Sequence, residues 1–237
     1  MSERTWEKYG AATGIAFGIL LLVAVFMVPS PPHVDASASK IASFYAGHRH
    51  AVLASGVVGS FATIAAVLFI SHLRHVFDRV EGGVEGLSTV VLALGLAAVA
   101  FSALSGIVAS TLAMMSAQPG GVADAGAVRA LYDVSSIANG LTFMLIGAWL
   151  VAIAFGMVRG EVATPALGWF AAVIGVVCVS AGAGLEVVGN YTGGWATIGF
   201  VAFIGLAAWD IVYGATMIRR PAVETMASHR SLIASTT

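Results

Sequence analysis

Two acids stand inside apolar stretches long enough to cross a bilayer. Glu186 lies in LGWFAAVIGVVCVSAGAGLEVV, and Asp210 lies in WATIGFVAFIGLAAWDIVYGATMI. An acid turned toward lipid costs at least ~2.5–3.5 kcal/mol at the bilayer centre, so both are expected to face other helices or a wet cavity. Asp210 is ~12 Å from the end of its stretch at 1.5 Å per residue, with Tyr213 and Gly214 on its side of the helix. By depth, His72 is the nearest cation that it could meet. Three intramembrane ionisable residues therefore stand out: Glu186, Asp210 and His72. The chemistry open to them is a cross-helix hydrogen bond, a neutral buried acid, or a proton or ion relay.

Glu186 sits ~5 Å from the outer end of its span, and Gly175, Gly182 and Ala183 make its face smooth enough for a closely packed neighbouring helix. Two other segments send polar groups to the same level. The loop after the first span carries His33, Asp35, Tyr45, His48 and His50. The head of the fourth span carries Arg129, Tyr132, Asp133, Ser136 and Asn139. A candidate outer pocket is therefore lined by His50, Arg129, Tyr132, Asp133, Ser136, Asn139, Glu186 and Tyr191, with Arg129 or His50 as the counter-ion of Glu186. Interfacial polarity around a structural Glu186–Arg129 pair is the plainer reading of the same residues.

The elements that position these groups follow from composition. Mean hydropathy is +0.94; 59% of the residues are hydrophobic and 10% charged, against about 25% charged in a soluble domain. That places the chain in the membrane class. A net charge of -1 gives no basic excess for nucleic acid. The expected fold is all-α: one bundle of six transmembrane helices over 10–28, 51–73, 87–115, 130–158, 167–189 and 195–218, with a polar tail at 219–237. The first apolar run exceeds the ~7–15 residues of a signal-peptide core and is read as a span. Residues 37–48 read as a short amphipathic helix at the interface, because Ile41, Phe44, Tyr45 and His48 recur at helical spacing. Gly10, Gly14 and Gly18 mark one packing face, and Ser102, Gly106 and Ser110 another.

Six spans put both termini on one side. With the N-terminus inside, the inner segments hold Arg4, Lys8, Arg74, Arg79, Arg159, Arg219, Arg220 and Arg230, and the outer ones only Lys40, Arg49 and Arg129. The positive-inside rule then makes both termini cytoplasmic and the membrane the cell membrane.

Several chemistries are missing. The only lysines, Lys8 and Lys40, lie outside the spans, so no retinal Schiff base can form. His50 and His72 stand at opposite ends of one span and cannot ligate a haem between them. His33, His48 and His50 follow no recognised zinc spacing, and no metal or other cofactor is expected. There is no phosphate loop, nucleophile elbow or HExxH. The first reading is thus a non-enzymatic bundle taking a small apolar, amphipathic or lipid-like ligand, or a partner protein, from the outer face. Its partners are the lipid bilayer and, beyond that ligand, a second copy or a partner membrane protein. A small transporter or proton-coupled carrier using Glu186 and Asp210 is the alternative. A lipid-modifying enzyme is the third; it requires Asp133, Glu186 and His50 to converge.

The run Asp133-Val134-Ser135-Ser136, then LTFMLIGAWLVAIAFGMVRG, then Thr164-Pro165-Ala166-Leu167-Gly168-Trp169 resembles a family of bacterial, actinobacterial-type six-helix membrane proteins catalogued as a domain of unknown function. The resemblance implies fold and location. It implies no activity and no catalytic residue.

Overall fold

A computed structural model describes residues 3–80, 86–116, 124–159, 163–188 and 194–219, with backbone alone at 3, 4, 80 and 186–188. Among them are seven helices: α1 (Glu3–Phe26), α2 (Ala38–Gly47), α3 (Arg49–Val80), α4 (Leu87–Met115), α5 (Ala125–Arg159), α6 (Pro165–Val188) and α7 (Gly194–Arg219). All but α2 are long and apolar enough to cross a membrane. The architecture is the expected six-helix, all-α bundle. Several ends differ. α1 begins at Glu3, so the polar start is helical, and it stops at Phe26, before Pro29, Pro31 and Pro32. α3 and α5 contain 32 and 35 residues, ~48 and ~52 Å at 1.5 Å per residue. Both overhang a ~30 Å hydrocarbon core and carry charged groups beyond it.

Each spanning helix packs on the next, and α1 packs on α7, which closes a ring. One interface has almost no side chains between its backbones. A methyl added at Gly147 of α5 would lie 2.5 Å from the Gly175 carbonyl of α6, and one at Gly182 would lie 2.7 Å from the Gly140 carbonyl. The small face of α1 is a seam too: Gly10 meets His72, Gly14 meets Phe69, and Gly18 meets Ala207 and Asp210. The face expected on α4 is not continuous. A methyl added at Gly106 would have no neighbour within 4 Å among the described residues, while Ser105, one step round, meets Ser135 of α5 at 3.1 Å.

Aromatic rings fill the middle of the ring of helices. Phe69, Trp149 and Trp209 lie edge-on or tilted at 6.2–6.5 Å, and Tyr213 stacks on Trp209 at 5.2 Å. Such pairs contribute roughly 0.5–1.5 kcal/mol beyond burial. The Trp209 indole donates to the Leu167 carbonyl at 3.1 Å, tying α7 to the first turn of α6. The outside is apolar: Phe61 and Ile64 of α3, Ile107 of α4, and Trp169, Val173 and Val176 of α6 are all more than half exposed. A continuous apolar exterior over an aromatic core matches lipid as the solvent.

α2 makes a small core of its own. Ser37 caps it by accepting from the Lys40 amide at 3.3 Å. Ile41 and Tyr45 pack with Val52, Val108, Leu112, Val128 and Tyr132 of α3, α4 and α5. The expected interfacial helix thus lies across one end of the bundle, opposite the termini end, where α1 begins and α7 stops.

Candidate functional site

At the α2 end, the polar residues bind the chain itself. The Arg129 guanidinium donates to Asp133 at 3.0–3.1 Å and to the Ala36 carbonyl at 3.0 Å. The Tyr132 hydroxyl donates to the Pro32 carbonyl, and Ser136 donates to the Tyr132 carbonyl at 2.9 Å. Tyr132 also meets Tyr45 edge-on at 6.3 Å. Burial, and then the neighbouring Tyr132, push the Tyr45 phenol above its ordinary range. Asn139 and His50 are exposed. The Glu186 side chain and Tyr191 lie outside the described residues. The partners found for Arg129 are thus Asp133 and Ala36. His33 pairs with Asp35 at 2.9 Å on the same exposed loop. This cluster is a clamp: it fastens the Pro-rich loop and α2 to the head of α5.

The termini end is built differently. Asp210 is fully buried, and neither carboxylate oxygen has a hydrogen-bond partner among the described residues. The Tyr213 hydroxyl, both His72 ring nitrogens and the Trp149 indole nitrogen share that condition. Native interiors leave few polar atoms in this state, and each one calls for an explanation.

α1 serves as a ruler for this region. His72 packs on Gly10, Phe69 on Gly14 and Asp210 on Gly18, while Gly214 sits on Ala11 and Ile15. Gly10 and Gly18 are ~12 Å apart along a helix. His72 and Asp210 therefore sit at different levels, and the nearest cation by depth is not bonded to the acid. Tyr213 fills the interval, its ring 5.7 Å from Phe69.

One turn nearer the terminus than Gly10 is Glu7, a residue that the sequence reading does not single out. It is 3% exposed and bonded to Arg79 of α3 at 2.8 Å. The other arm of Arg79 donates to His75 Nε2 at 2.7 Å. A guanidinium can only donate, so Nε2 is the acceptor in this bond. Glu7 also lies within electrostatic range of Tyr213, and His75 within range of His72. The buried groups form a ladder down the α1 face, Glu7, His72, Tyr213 and Asp210, spanning ~17 Å. At its upper rung, His75 lines a cleft of about 210 Å³ with Ser71, Arg74, Asp78 and Leu92, in which Arg74 and Asp78 face each other at 3.6 Å.

Fold and site together define a multi-pass helical membrane protein with an ionisable core at one end. No protein-family model, curated protein or solved structure matches the chain.

Proposed function

We propose that this chain is a proton-coupled carrier of the cell membrane, with Asp210 as its central protonation site and both termini in the cytoplasm. One observation carries the reading. A carboxyl group with no hydrogen-bond donor or cation assigned to it among the described residues stands fully buried inside a spanning helix. An unpaired ionised carboxylate there would cost several kcal/mol. The resting group holds its proton, and work is available whenever a conformational change exposes it. Intramembrane acids in this setting belong to ion and proton pathways. The topology rests on the lysine and arginine count.

The test is flux. Protein reconstituted into vesicles with an entrapped pH dye should carry protons faster than empty vesicles under an imposed gradient, and Asp210→Asn should remove the difference. An Asp210→Asn rate equal to the wild-type rate refutes the reading.

A second reading has its own observation. The apolar cluster under α2 is separate from the main core, so α2 can lift without opening the bundle. That favours a small apolar or lipid-like ligand, or a partner membrane protein, held at the outer face. Native mass spectrometry of the purified protein would show such a ligand as a discrete added mass.

A further inference from the structure

The termini end also carries chemistry on its outer surface, apart from the ionisable core. We propose that the cleft between α3 and α4 binds one phospholipid with a primary ammonium headgroup, a phosphatidylethanolamine, from the leaflet on the termini side.

α1 fixes the depth of the cleft. His72 packs on Gly10, and Arg79 bonds Glu7, so this part of α3 runs alongside the first turns of α1. The chain neighbours of those α1 positions, Trp6 and Tyr9, are exposed, and so is Trp169 near the start of α6. Exposed Trp and Tyr at the ends of spanning helices gather at headgroup level. The cleft is lined by Ser71, Arg74, His75 and Asp78 of α3 and by Leu92 of α4. It therefore opens among headgroups and not in the hydrocarbon.

An apolar strip leads out to it. Ile64 and Leu68 of α3 are exposed, as is Leu96 of α4, one turn deeper than Leu92. Along the same exposed face of α3 the chemistry then changes at helical spacing, through Leu68, Ser71, Arg74 and Asp78. Arg74 stands ~4.5 Å beyond Ser71 along the axis, and Asp78 ~6 Å beyond Arg74. Taken outward, the order is apolar surface, hydroxyl, cation, carboxylate. A phosphatidylethanolamine presents acyl chain, ester, phosphate and ammonium in the same order. Ser71 returns its proton to the Val67 carbonyl at 2.8 Å, so it supplies a small polar floor and not a bond.

The charges select the headgroup. Arg74 and Asp78 are each about half exposed and stand 3.6 Å apart, too far for a hydrogen bond. A phosphate can take two donors from the Arg74 guanidinium, and a primary ammonium can donate to the Asp78 carboxylate. One zwitterion thus replaces a loose contact by two charge-assisted pairs. An anionic lipid without the ammonium meets a like charge at Asp78. A trimethylated ammonium has no N–H to give.

The test is a lipid titration of the full chain in detergent, followed by native mass spectrometry. Phosphatidylethanolamine, phosphatidylcholine and phosphatidylglycerol are compared with the same acyl chains. Phosphatidylethanolamine should bind about fivefold more tightly than either, the upper end of what a half-exposed ion pair supplies. Asp78→Asn should bring it level with phosphatidylcholine, and Arg74→Gln should weaken all three. Should either variant fail to fold, Ser71→Trp, at an exposed position, fills the floor of the cleft and should remove the same preference. Equal wild-type affinities for the ethanolamine and choline lipids overturn the proposal. So does tighter binding of phosphatidylglycerol, or a preference that survives Asp78→Asn or, where that variant does not fold, Ser71→Trp. Soluble phosphoethanolamine at the lipid's own concentration should not displace it, because the apolar strip contributes only when acyl chains are present. Displacement would make this a site for a free phosphoester and overturn the lipid assignment. These affinities are read without any flux, so they stand apart from the carrier reading.

Discussion

The contact between α5 and α6 can be tested by adding one carbon atom. A methyl at Gly147 would stand 2.5 Å from the Gly175 carbonyl, 2.6 Å from Val179 Cγ2 and 2.7 Å from the Val179 amide. Ordinary contact begins at 3.4 Å, so two of these three neighbours, being backbone, must move by about 0.9 and 0.7 Å (3.4 − 2.5 and 3.4 − 2.7). Opening a packed seam by 0.5–1 Å forfeits roughly a quarter to a half of its dispersion energy, and overpacking of this kind costs about 1–3 kcal/mol. Against that, alanine is better than glycine inside a helix by about 0.5–1 kcal/mol. The expected net loss for Gly147→Ala is about 1–2 kcal/mol. Gly106→Ala is the same substitution in open space, and it keeps the helix gain alone. The helix gain is common to both, so the two variants should differ by the overpacking cost alone, about 1–3 kcal/mol, or roughly 2–12 °C in melting temperature for a chain of this size. The assay is built in. Cys178 is the single cysteine and is 1% exposed, so a thiol-reactive dye reports unfolding directly. Equal melting temperatures for Gly147→Ala and Gly106→Ala would refute the claim that backbone contact at this seam holds the bundle.

The clamp at the α2 end gives three more expectations. Because the Tyr45 phenol is raised above its ordinary value of 10.0, its contribution to stability is complete below that pH and is lost as pH rises beyond it; Tyr45→Phe should flatten the fall in melting temperature between about pH 10 and 11. Arg129→Gln breaks the bonds to Ala36 and Asp133 and should raise amide exchange in residues 33–47 at least several-fold, leaving α6 and α7 unchanged. A cysteine at the exposed Ser43 should react with an impermeant reagent added outside intact cells, and reaction only after the inner face is opened would invert the topology.

The fold was legible because the bilayer makes its demands in length and apolarity, which a sequence displays directly. Runs such as 87–115 match their helix to the residue. The boundaries that differ do so where a helix continues beyond the lipid. α1 reaches back to Glu3 and α3 forward to Val80 because polar residues outside the hydrocarbon can still be helical when they find partners, as Glu7 and Arg79 find each other. Tertiary pairing decides that extension, and hydropathy does not contain it. The glycine faces on α1 and α6 are readable as packing seams, since small residues at helical spacing have few other uses in lipid. The open position of Gly106 shows the limit of the same reasoning: spacing identifies a smooth face, not what lies against it.

The candidate site was legible by halves. Asp210 announces itself, because an acid within a spanning run is rare and costly. Its surroundings do not. By the span bounds, His72 lies ~1.5 Å and Asp210 ~12 Å from the same face, and α1 separates the two by ~12 Å, so the nearest cation in the sequence is still too far away to pair. Glu7 escapes a hydropathy reading because it stands in a polar start. A signal for it is present: Glu7, Ala11, Gly14 and Gly18 follow one another at intervals of three or four, so the acid extends the same smooth face that Gly14 and Gly18 define. An acid in line with a packing seam must be buried if the helix continues through it, and a buried acid that stays ionised requires a cation. Arg79, in the charged stretch of α3 beyond its apolar run, is the partner on offer. At the α2 end, the structure shows a use for polar side chains that their sequence clustering does not. Arg129, Tyr132 and Asp133 cluster in sequence with the chemistry of a pocket, but an irregular proline-rich loop has free carbonyls to satisfy, and Pro32 and Ala36 use those side chains to do it. Polar side chains beside an unpaired backbone are first of all its hydrogen-bond donors. Asp210 and Tyr213 differ in that no backbone group takes them as a partner among the described residues.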